Sequence, residues 1–456
     1  KQEQPIKLLV SDGIVYGVET QIGTQFHSKA VVITTGTFLM GLMHIGQNQI
    51  QGGRLGDARA VGLSASLQDV GIRLGRFKTG TPPRIIKKSI NFSKTKRQSG
   101  EDPEPAFSFW KSELFHVEQE GKKSNSNSEA KCLSPARIRI GGQMDCFITN
   151  TTPKTADLIR SNLHKSPLYS GKIEGVGPRY CPSIEDKIVK FASKETHQVF
   201  LEPEGIETDE FYVNGLSTSL PYEVQIELIR SIVGCERAEI IRPAYAVEYD
   251  YAFPSQLSPS LETKACQNLF LAGQINGTSG YEEAAAQGLM AGINAARKVA
   301  GLSPFILSRE QAYIGVLIDD LITKEIAEPY RIFTSRAEYR IFLRQGNADM
   351  RLAELGYQIG LLPYRNYLKF SLKRRLIESE IARLNKTFSG TDSLAKILSR
   401  PETNYKSLPG SILRLDSEVI SEIETIVKYQ GYLDRQEKEI KKNRTLEVKQ
   451  IPKGFD

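Results

Sequence analysis

At 456 residues the chain is long enough for two or three domains, and its 40% hydrophobic and 25% charged content is ordinary for a globular protein. No apolar run approaches the roughly 18 to 20 residues that a membrane span needs, and no signal peptide is visible, so we expect neither a membrane nor a secreted protein. The net charge of +7 permits a polyanionic partner without requiring one.

The cysteines and histidines give no metal or disulfide signal. The five cysteines are odd in number and widely spaced, without a Cys-x-x-Cys pair, so neither a disulfide framework nor a zinc site is predicted. The histidines show no metal-ligand spacing and no Ser or Asp partner pattern, and we predict no metal. Such cysteines fit a reducing compartment, so we expect a cytoplasmic protein, or a mitochondrial one if the source is a eukaryote.

The N-terminal part is predicted to form strands and glycine-rich loops. Residues 6–36 carry hairpin-like strand patterns that end in an apolar run from Ala30, typical of a parallel strand, which a glycine turn stops. Residues 44–84 are rich in glycine and predict loops with basic residues at their tips. A helix from about Ala60 to Val70 interrupts these loops.

Composition changes after residue 86. Residues 87–135 are rich in Lys, Ser, Asn and Glu, and they predict a disordered-looking surface insertion because they cannot bury enough apolar surface. Strand and helix patterns then return as far as Asp250. We therefore predict a second α/β domain over 86–250, inserted into a first domain formed by 1–85 and 251–300.

The pattern turns helical after residue 300, beginning with a segment that includes Pro329–Arg344. In two longer stretches, 364–386 and 417–443, apolar residues recur at three- and four-residue spacing, and the remaining faces are rich in Lys, Arg and Glu. We predict a C-terminal helical domain over 301–456. No internal repeat is visible.

The segment Leu269–Arg297 carries the strongest functional signal. Four apolar residues predict a buried strand, a loop with Gly273, Gly277 and Gly280 follows, and an Ala-rich helix begins near Glu282. Such a loop brings bare backbone N–H groups and the positive end of a helix dipole to one point, where a phosphate or an electron-rich ring can bind. The same order of elements also turns an ordinary corner in α/β proteins, so geometry alone leaves both interpretations open.

A second run, Gly175–Lys187, places Cys181 between two cations, Arg179 and Lys187. A thiol in such surroundings, near the start of a helix that Pro182 would open, should have its thiolate favoured. Cys181 is therefore a candidate nucleophile. The alternative is a buried structural thiol, the commoner fate of a lone cysteine.

Together these two runs resemble the MnmG family, also called GidA. The resemblance rests on Gly-Gln-Ile-Asn-Gly-Thr followed by Gly-Tyr-Glu-Glu-Ala-Ala-Ala-Gln-Gly, and on Gly-Val-Gly-Pro-Arg-Tyr-Cys-Pro-Ser-Ile-Glu-Asp-Lys. It covers nearly the whole chain apart from the insertion near 87–135. It implies an α/β fold, that of an FAD-binding flavoprotein with two dinucleotide-binding domains, the second α/β domain being inserted, and a C-terminal helical domain.

The resemblance also implies an activity. Family members use FAD, reduced by NADH, with methylenetetrahydrofolate as carbon donor, to install a carboxymethylaminomethyl or aminomethyl group at C5 of the wobble uridine of tRNA. Family members usually form a homodimer, and they act with the GTPase MnmE in a heterotetrameric complex. Chemically, a cysteine thiolate can add to C6 of uracil and make C5 nucleophilic. The resemblance gives Cys181 as a cysteine needed for activity and implies another essential cysteine upstream of this chain, so which of the two is the nucleophile stays open.

Site residues are carried over position by position. The resemblance implies FAD contacts at Gly273, Gln274, Asn276 and Gly277, with an adenine-side backbone contact at Pro5. A further flavin contact falls at Ala60, where Ser is expected. Contacts to the nicotinamide cofactor are implied at Gly177, Pro178, Arg179, Tyr180, Cys181, Pro182, Ser183, Ile184, Glu185, Asp186, Lys187 and Phe191.

The usual dinucleotide fingerprint, Gly-x-Gly-x-x-Gly, is absent from the chain. Gly175-Val-Gly177 comes nearest, but Tyr180 occupies the third glycine position. The resemblance implies that the fingerprint lies upstream and that relatives continue beyond the C-terminal residues of this chain. We therefore expect the chain to be part of a longer protein, truncated at both ends.

Basic residues supply candidate contacts to tRNA phosphates, with aromatic residues interleaved for stacking. For any one of these positions, a solvated face or a structural role is an equally good interpretation. The candidates are Arg54, Lys78, Arg84, Arg331, Arg336 and Arg340.

Three alternatives to the main hypothesis stay open. A related folate- and FAD-dependent tRNA uridine C5-methyltransferase shares the flavin architecture, but it lacks the long helical tail over 364–443. A flavoprotein disulfide reductase would need a redox-active cysteine pair, which is absent. A non-catalytic fragment that binds tRNA or a partner would bind tRNA without any flavin spectrum.

Overall fold

The computed structural model describes residues 1–102, 108–110, 143–180, 182–447 and 449. The described residues divide into two compact units. The first takes in Lys1–Phe305 and Leu321–Arg331, and the second takes in Ile306–Asp320 and the chain from Ile332 onward. None of the described helices is long and apolar enough to cross a membrane.

The first unit contains five helices and fifteen strands among its described residues. The helices are α1 (Leu63–Asp69), α2 (Pro153–Asn162), α3 (Ile184–Lys190), α4 (Tyr222–Arg230) and α5 (Tyr281–Val299). The strands are β1 (Pro5–Ser11), β2 (Ile14–Thr20), β3 (Gln25–His27), β4 (Val31–Ile33), β5 (Leu42–Ile45), β6 (Asn48–Gln51), β7 (Leu74–Thr81), β8 (Arg84–Ile86), β9 (Lys96–Gln98), β10 (Cys146–Asn150), β11 (Gln198–Pro203), β12 (Glu210–Asn214), β13 (Ile240–Arg242), β14 (Tyr245–Ala252) and β15 (Leu269–Leu271).

The N-terminal strands form the predicted hairpin and the predicted parallel strand. Strands β1, β2 and β3 make an antiparallel sheet, and Asp12 and Gly13 turn the β1–β2 hairpin with left-handed φ angles of 51° and 74°. Strand β4 pairs in parallel with β15, from Val31 opposite Leu269 to Ile33 opposite Leu271. Both predictions are confirmed, and the parallel pair leads directly into the loop before α5.

A four-stranded antiparallel sheet, ordered β6-β5-β14-β7, supports the site. Strand β14 is central and almost wholly buried. The prediction of loops over 44–84 is wrong here, because β5, β6 and β7 lie in that region. The glycines inside β7 led us to predict a loop where a strand is present. A Cβ at Gly75 would lie 2.8 Å from Tyr251 Cε1, so close packing requires glycine within the strand.

A six-stranded antiparallel sheet, ordered β13-β8-β12-β11-β10-β9, packs against α2, α3 and α4 around an aliphatic core. Residues 87–98 were predicted to begin the surface insertion, but Ile90 is buried in this core and β9 pairs with β10. Of the predicted disordered-looking stretch, 103–107 and most of the rest, from 111 onward, lie outside the described residues.

The second unit is largely helical. Helix α6 (Tyr313–Thr323) carries the chain back into the first unit at Leu321, and the second unit continues through α7 (Ala348–Gln358), α8 (Tyr364–Lys386), β16 (Phe388–Ser389), β17 (Asp392–Ser393), α9 (Leu394–Leu398) and α10 (Ser417–Glu447). Helices α8 and α10 confirm the two predicted amphipathic stretches. The core between them includes Ile377, Leu384 and Ile423.

The helical interpretation of Pro329–Arg344 is wrong. Within it, only Thr334–Arg336 forms a single 3-10 turn. Tyr330 instead extends beside Thr278 as a short parallel bridge, with its N–H donating to Gly277 O at 2.8 Å. This tertiary contact overrides local helix propensity.

Candidate functional site

The loop between β15 and α5 has a backbone that requires glycine. Gly273 and Gly277 adopt left-handed φ angles of 85° and 77°. A Cβ at Gly277 would also lie 3.0 Å from Phe77 Cε2 and 3.3 Å from Tyr251 Cδ2. The loop therefore packs against the four-stranded sheet, and it leads directly into the N-terminus of a 19-residue helix, α5.

Buried amide side chains hold this loop rigid. Asn276 Nδ2 donates to Leu271 O and to Gln287 Oε1, each at 2.8 Å. Gln287 Nε2 in turn donates to Thr278 Oγ1 at 2.9 Å, and Thr278 donates to Gly273 O at 3.1 Å. The backbone conformation before α5 is therefore determined by side-chain hydrogen bonds from within the same segment.

Two buried polar atoms beside this loop lack a hydrogen-bond partner among the described residues: Asn276 Oδ1 and the Tyr249 hydroxyl. Burial raises the pKa of Tyr249, and the nearby Gln274 side chain opposes that shift. Native proteins rarely leave such atoms unpaired. Together with the half-exposed Gln274, they fit a ligand that carries both donors and acceptors, as the edge of an isoalloxazine ring does.

The start of the second run lies on the same sheet. Glu174 N and Gly175 N donate to Glu248 Oε1 at 2.9 and 2.7 Å, and Lys78 N donates to Val176 O at 3.0 Å. Gly175 lies so close to β7 that a Cβ there would meet the Phe77 carbonyl carbon at 2.8 Å. The run therefore begins with an isolated parallel bridge, from Val176 to Phe77 of β7.

Tyr180 joins the two predicted motifs. Its hydroxyl donates to Pro329 O at 2.9 Å and lies 2.9 Å from Ser279 Oγ, in the loop before α5. The Arg331 guanidinium lies 5.4 Å from the centre of the Tyr180 ring, and Arg331 Nε lies 3.1 Å from Glu283 Oε1 in the first turn of α5. The structure thus brings the second run against the candidate cofactor loop.

The remaining described residues of the run mostly contact other groups of the protein. Ser183 Oγ accepts from Asp186 N and caps α3, so the helix begins at Ile184 rather than at Pro182. Glu185 is buried and accepts from Thr218 Oγ1 and Ser219 N, while Lys187 Nζ donates to Gly215 O at 2.9 Å. Pro178 is buried, whereas Arg179 and Phe191 are exposed. Cys181 lies outside the described residues.

A cavity of about 460 Å³ is lined by residues that flank Pro5 and Ala60 in the sequence. Its walls are formed by Gln4, Ile6, Gln21, Gln51, Ala58, Arg59, Val61 and Gly62. Ala60 pairs with Leu39 in a parallel bridge, and Leu39 O accepts from Asp250 N, next to Tyr249 in β14. Main-chain contacts therefore connect Ala60, one of the two predicted FAD positions in the N-terminal part, to the strand that carries Tyr249.

The candidate tRNA-binding residues have different surroundings. Arg54 is exposed and pairs with Asp57, whereas Arg84 pairs with Glu204 and lies 4.5 Å from the centre of the Tyr212 ring. Lys78 is only 6% exposed, and its Nζ would lie 3.8 Å from a Cβ at Gly177, which favours a role inside the site over a contact with an exposed phosphate.

Arg336 and Arg340 belong to the second unit. Arg336 Nη1 lies 3.7 Å from Asp320 Oδ2, whereas the Arg340 side chain is exposed. A solvent-exposed guanidinium can contact a polyanion directly, while a paired one must exchange its partner first. Of these two residues, Arg340 is thus the better placed for a phosphate.

Two family models match the chain. One, described as glucose inhibited division protein A, matches residues 1–303, well over half of the chain. The chain belongs to the GidA family. A second model, described as the C-terminal helical domain of the tRNA modifying enzyme MnmG/GidA, matches residues 365–437 and so covers most of α8 to α10.

Individual GidA relatives agree with this assignment. The tRNA uridine 5-carboxymethylaminomethyl modification enzyme MnmG of Protochlamydia amoebophila (strain UWE25) is 52% identical over 98% of this chain and 69% of its own. The enzyme of the same name from Thermodesulfovibrio yellowstonii is 47% identical over 100% of this chain and 73% of its own.

The fold agrees as well. The structure of Aquifex aeolicus GidA in its form I crystal superposes with a TM-score of 0.87 at 47% identity, covering 100% of this chain and 73% of that one. In the form II crystal the TM-score is 0.83 at 44% identity, over 100% and 72% of the two chains. The predicted family and the predicted α/β fold with a C-terminal helical domain are confirmed.

Sequence reasoning missed several residues that shape this GidA site: Glu248, Tyr249, Ser279 and Glu283. One signal was available for the first of them. Tyr245–Ala252 is an apolar, aromatic strand pattern interrupted by two carboxylates, Glu248 and Asp250, and a charged residue in a buried central strand needs a partner. The other three contacts depend on chain segments far apart in sequence, and no local pattern predicts them.

Proposed function

We propose that this chain is an FAD-dependent enzyme that modifies tRNA by installing a carboxymethylaminomethyl or aminomethyl group at C5 of the wobble uridine. The observation that carries the proposal is the junction at Tyr180, which holds the second run against the glycine loop before α5. Relatives named as tRNA uridine 5-carboxymethylaminomethyl modification enzymes support it.

The residues around the glycine loop fit FAD. Gly273 and Gly277 let the backbone approach a ring closely, while Gln274, Asn276 Oδ1 and the Tyr249 hydroxyl supply polar atoms for its edge. The cavity beside Pro5 has the apolar walls and amide groups that an adenosine moiety needs. When bound, FAD would supply the redox chemistry of one-carbon transfer. The protein residues orient the ring and exclude water.

The second run would contact NADH, the proposed reductant, through Gly177–Lys187 and Phe191. Cys181 is the proposed nucleophile. Its thiolate would form a bond to C6 of the uracil ring, which places negative charge on C5, and C5 would then attack the methylene carbon of methylenetetrahydrofolate. Loss of the C5 proton and departure of tetrahydrofolate would leave an exocyclic methylene at C5. Glycine or ammonia would add to this methylene, and release of the thiolate from C6 would restore the ring.

The proposed partners follow from the same assignment. The substrate would be tRNA, held by exposed cations such as Arg54 and Arg340. The GTPase MnmE would join a homodimer of this protein in a heterotetrameric complex, and the enzyme would work in the cytoplasm, or in mitochondria in a eukaryote.

The test begins with an absorbance scan of the purified protein from 350 to 500 nm. The protein is then incubated with tRNA, NADH, methylenetetrahydrofolate, glycine or ammonium, MnmE and GTP, and the nucleosides are analysed by mass spectrometry. We expect flavin bands and a C5-aminomethyl-type uridine. A C5-methyl product would identify the methyltransferase alternative, and tRNA binding without flavin would identify the binding-only alternative.

A matched pair of cysteine variants tests the nucleophile. Cys181→Ser should abolish product formation while flavin content stays unchanged. Cys146→Ser is the control, because Cys146 is half-buried and burial raises the pKa of its thiol, which makes it a poor nucleophile. Equal activity of the two variants would disprove the role of Cys181.

A further inference from the structure

One buried carboxylate outside the predicted motifs holds the start of the second run. We propose that Glu248, supported by His44, is a positioning residue that fixes Glu174–Tyr180 for binding of the nicotinamide cofactor. This inference rests on the proposed function, because it assumes that the run contacts NADH. Glu248 lies on β14, the central strand of the four-stranded sheet.

The contacts of Glu248 divide between its two oxygens. Oε1 accepts from Glu174 N at 2.9 Å and from Gly175 N at 2.7 Å, and Oε2 lies 2.8 Å from His44 Nε2. Glu248 is 3% exposed and His44 is fully buried. One oxygen therefore serves the run, and the other anchors the carboxylate to the neighbouring strand β5.

A carboxylate placed here is costly unless all its partners are present. Burial raises the pKa of Glu248, but the hydrogen bonds from His44, Gly175 and Glu174 outweigh burial and hold the pKa below its ordinary value. The charged form is thus matched to donors that come from two separate chain segments. An apolar residue would pack in this position at lower cost, but it could not hold the run.

His44 fixes the direction of the carboxylate. Its Nδ1 is buried and has no hydrogen-bond partner among the described residues, so within them the bond to Glu248 is the only polar constraint on the ring. The pair therefore behaves as one unit that extends from β5 through β14 to the run.

The segment Glu174–Tyr180 is held at both ends. At one end, Glu248 accepts hydrogen bonds from Glu174 N and Gly175 N. At the other end, the Tyr180 hydroxyl hydrogen-bonds to Pro329 O and Ser279 Oγ. Between these points, Val176 O accepts from Lys78 N. Loss of Glu248 would free one end of a segment that must keep a single conformation to bind a cofactor.

The experiment compares Glu248→Ala, Glu248→Asp and Glu248→Gln with Glu262→Gln as control. Glu262 also accepts a backbone N–H, from Asn268 at 2.7 Å, and pairs with Lys298 rather than with any described residue of the run. The affinity for NADH is measured by calorimetry, and hydrogen exchange of the amides over 174–180 is measured by mass spectrometry. Flavin content and thermal midpoint check that each variant folds.

We expect Glu248→Ala to weaken NADH binding by about tenfold or more and to accelerate amide exchange at the start of the run. Glu248→Asp should behave similarly, because its carboxylate is one methylene too short. It also replaces the alanine variant if that one does not fold. Glu248→Gln should bind NADH within about threefold of the wild type, because its amide oxygen can accept both N–H groups while the tautomer of His44 adjusts.

The outcomes separate the two proposals. A wild-type protein that does not bind NADH refutes the nicotinamide site and, with it, the role given to Glu248. If the wild type binds NADH and Glu248→Ala binds equally well, Glu248 is only structural and the inference fails, while the proposed function stands. Faster exchange with unchanged NADH affinity leads to the same rejection.

Discussion

At the residue scale, Arg54 and Arg84 show how surroundings decide what an arginine can do. The Arg54 side chain is 71% exposed and shares an ion pair with Asp57, a type of contact that contributes little in water. Arg84 is bonded to Glu204 and Pro82 O and stacks on Tyr212. The Arg54 guanidinium can therefore contact a polyanion, whereas the Arg84 guanidinium is held by contacts within the six-stranded sheet.

We therefore predict opposite effects of two alanine substitutions. Arg54→Ala should weaken tRNA binding and reduce the slope of log affinity against log salt by about 1, without changing stability. Arg84→Ala should lower the free energy of unfolding by about 1 to 3 kcal/mol and leave the tRNA affinity of the folded protein unchanged. Filter binding across a salt series and urea unfolding measure the two quantities. Equal loss of tRNA affinity in both variants would contradict the distinction.

Gln274 gives a second prediction at this scale. If its side-chain amide contacts the flavin beside Tyr249, Gln274→Ala should raise the dissociation constant of FAD by about tenfold, the usual effect of losing one or two hydrogen bonds. Titration of the flavin-free protein with FAD, followed by flavin fluorescence, measures this constant. Gln68→Ala, on the exposed face of α1, is the control. An unchanged dissociation constant would remove Gln274 from the site.

At the element scale, the loop before α5 and the helix itself make opposite demands on glycine. Gly277 has a φ of 77° and contacts Phe77, whereas a Cβ at Gly288, within α5, would meet nothing within 4 Å. Gly277→Ala should lower the free energy of unfolding by at least about 1 to 2 kcal/mol and reduce flavin content. Gly288→Ala should raise it by about 0.5 to 1 kcal/mol.

Thermal and urea unfolding with flavin quantification would test this pair. A stable Gly277→Ala variant with full flavin content would show that the loop is not held in its left-handed conformation. A destabilised Gly288→Ala variant would show instead that this face of α5 is closely covered.

How much of the structure could be predicted also depends on the element. Helices α8 and α10 follow from apolar spacing, because an amphipathic helix encodes its buried face locally. Strand β7 does not, because Gly75 is placed by Tyr251 from a strand more than 170 residues away. The glycine loop was predictable from its sequence. Its contact with Tyr180 was not, since that contact joins three distant segments.

At the whole-molecule scale, buried and half-buried carboxylates in both units are matched to basic or polar partners. Glu248 in the first unit and Glu310 and Glu380 in the second all have pKa values below the ordinary 4.5, because hydrogen bonds outweigh burial. Glu380 shows the arrangement clearly, since Arg383 and the Tyr405 hydroxyl both donate to it. The ionised forms of these three carboxylates therefore contribute to stability, whereas burial raises the pKa of Glu422.

The sign of the resulting pH dependence follows from linkage. A carboxyl group whose pKa is lower in the folded state stabilises the protein above its unfolded pKa, and that contribution disappears as the pH falls through the folded value. We therefore predict that these three carboxylates lower the free energy of unfolding as the pH drops below about 4.5. Urea unfolding at pH 7, 5, 4 and 3 measures the decrease.

Glu380→Gln identifies one source of this dependence. The variant should lose on the order of 1 to 3 kcal/mol at pH 7, because Arg383 and Tyr405 lose a charged acceptor, and its difference from the wild type should shrink as the pH falls. Glu437→Gln, on an exposed part of α10, should match the wild type at every pH. If the difference between Glu380→Gln and the wild type is the same at pH 7 and pH 3, the glutamate stabilises the helical unit through packing rather than through its charge.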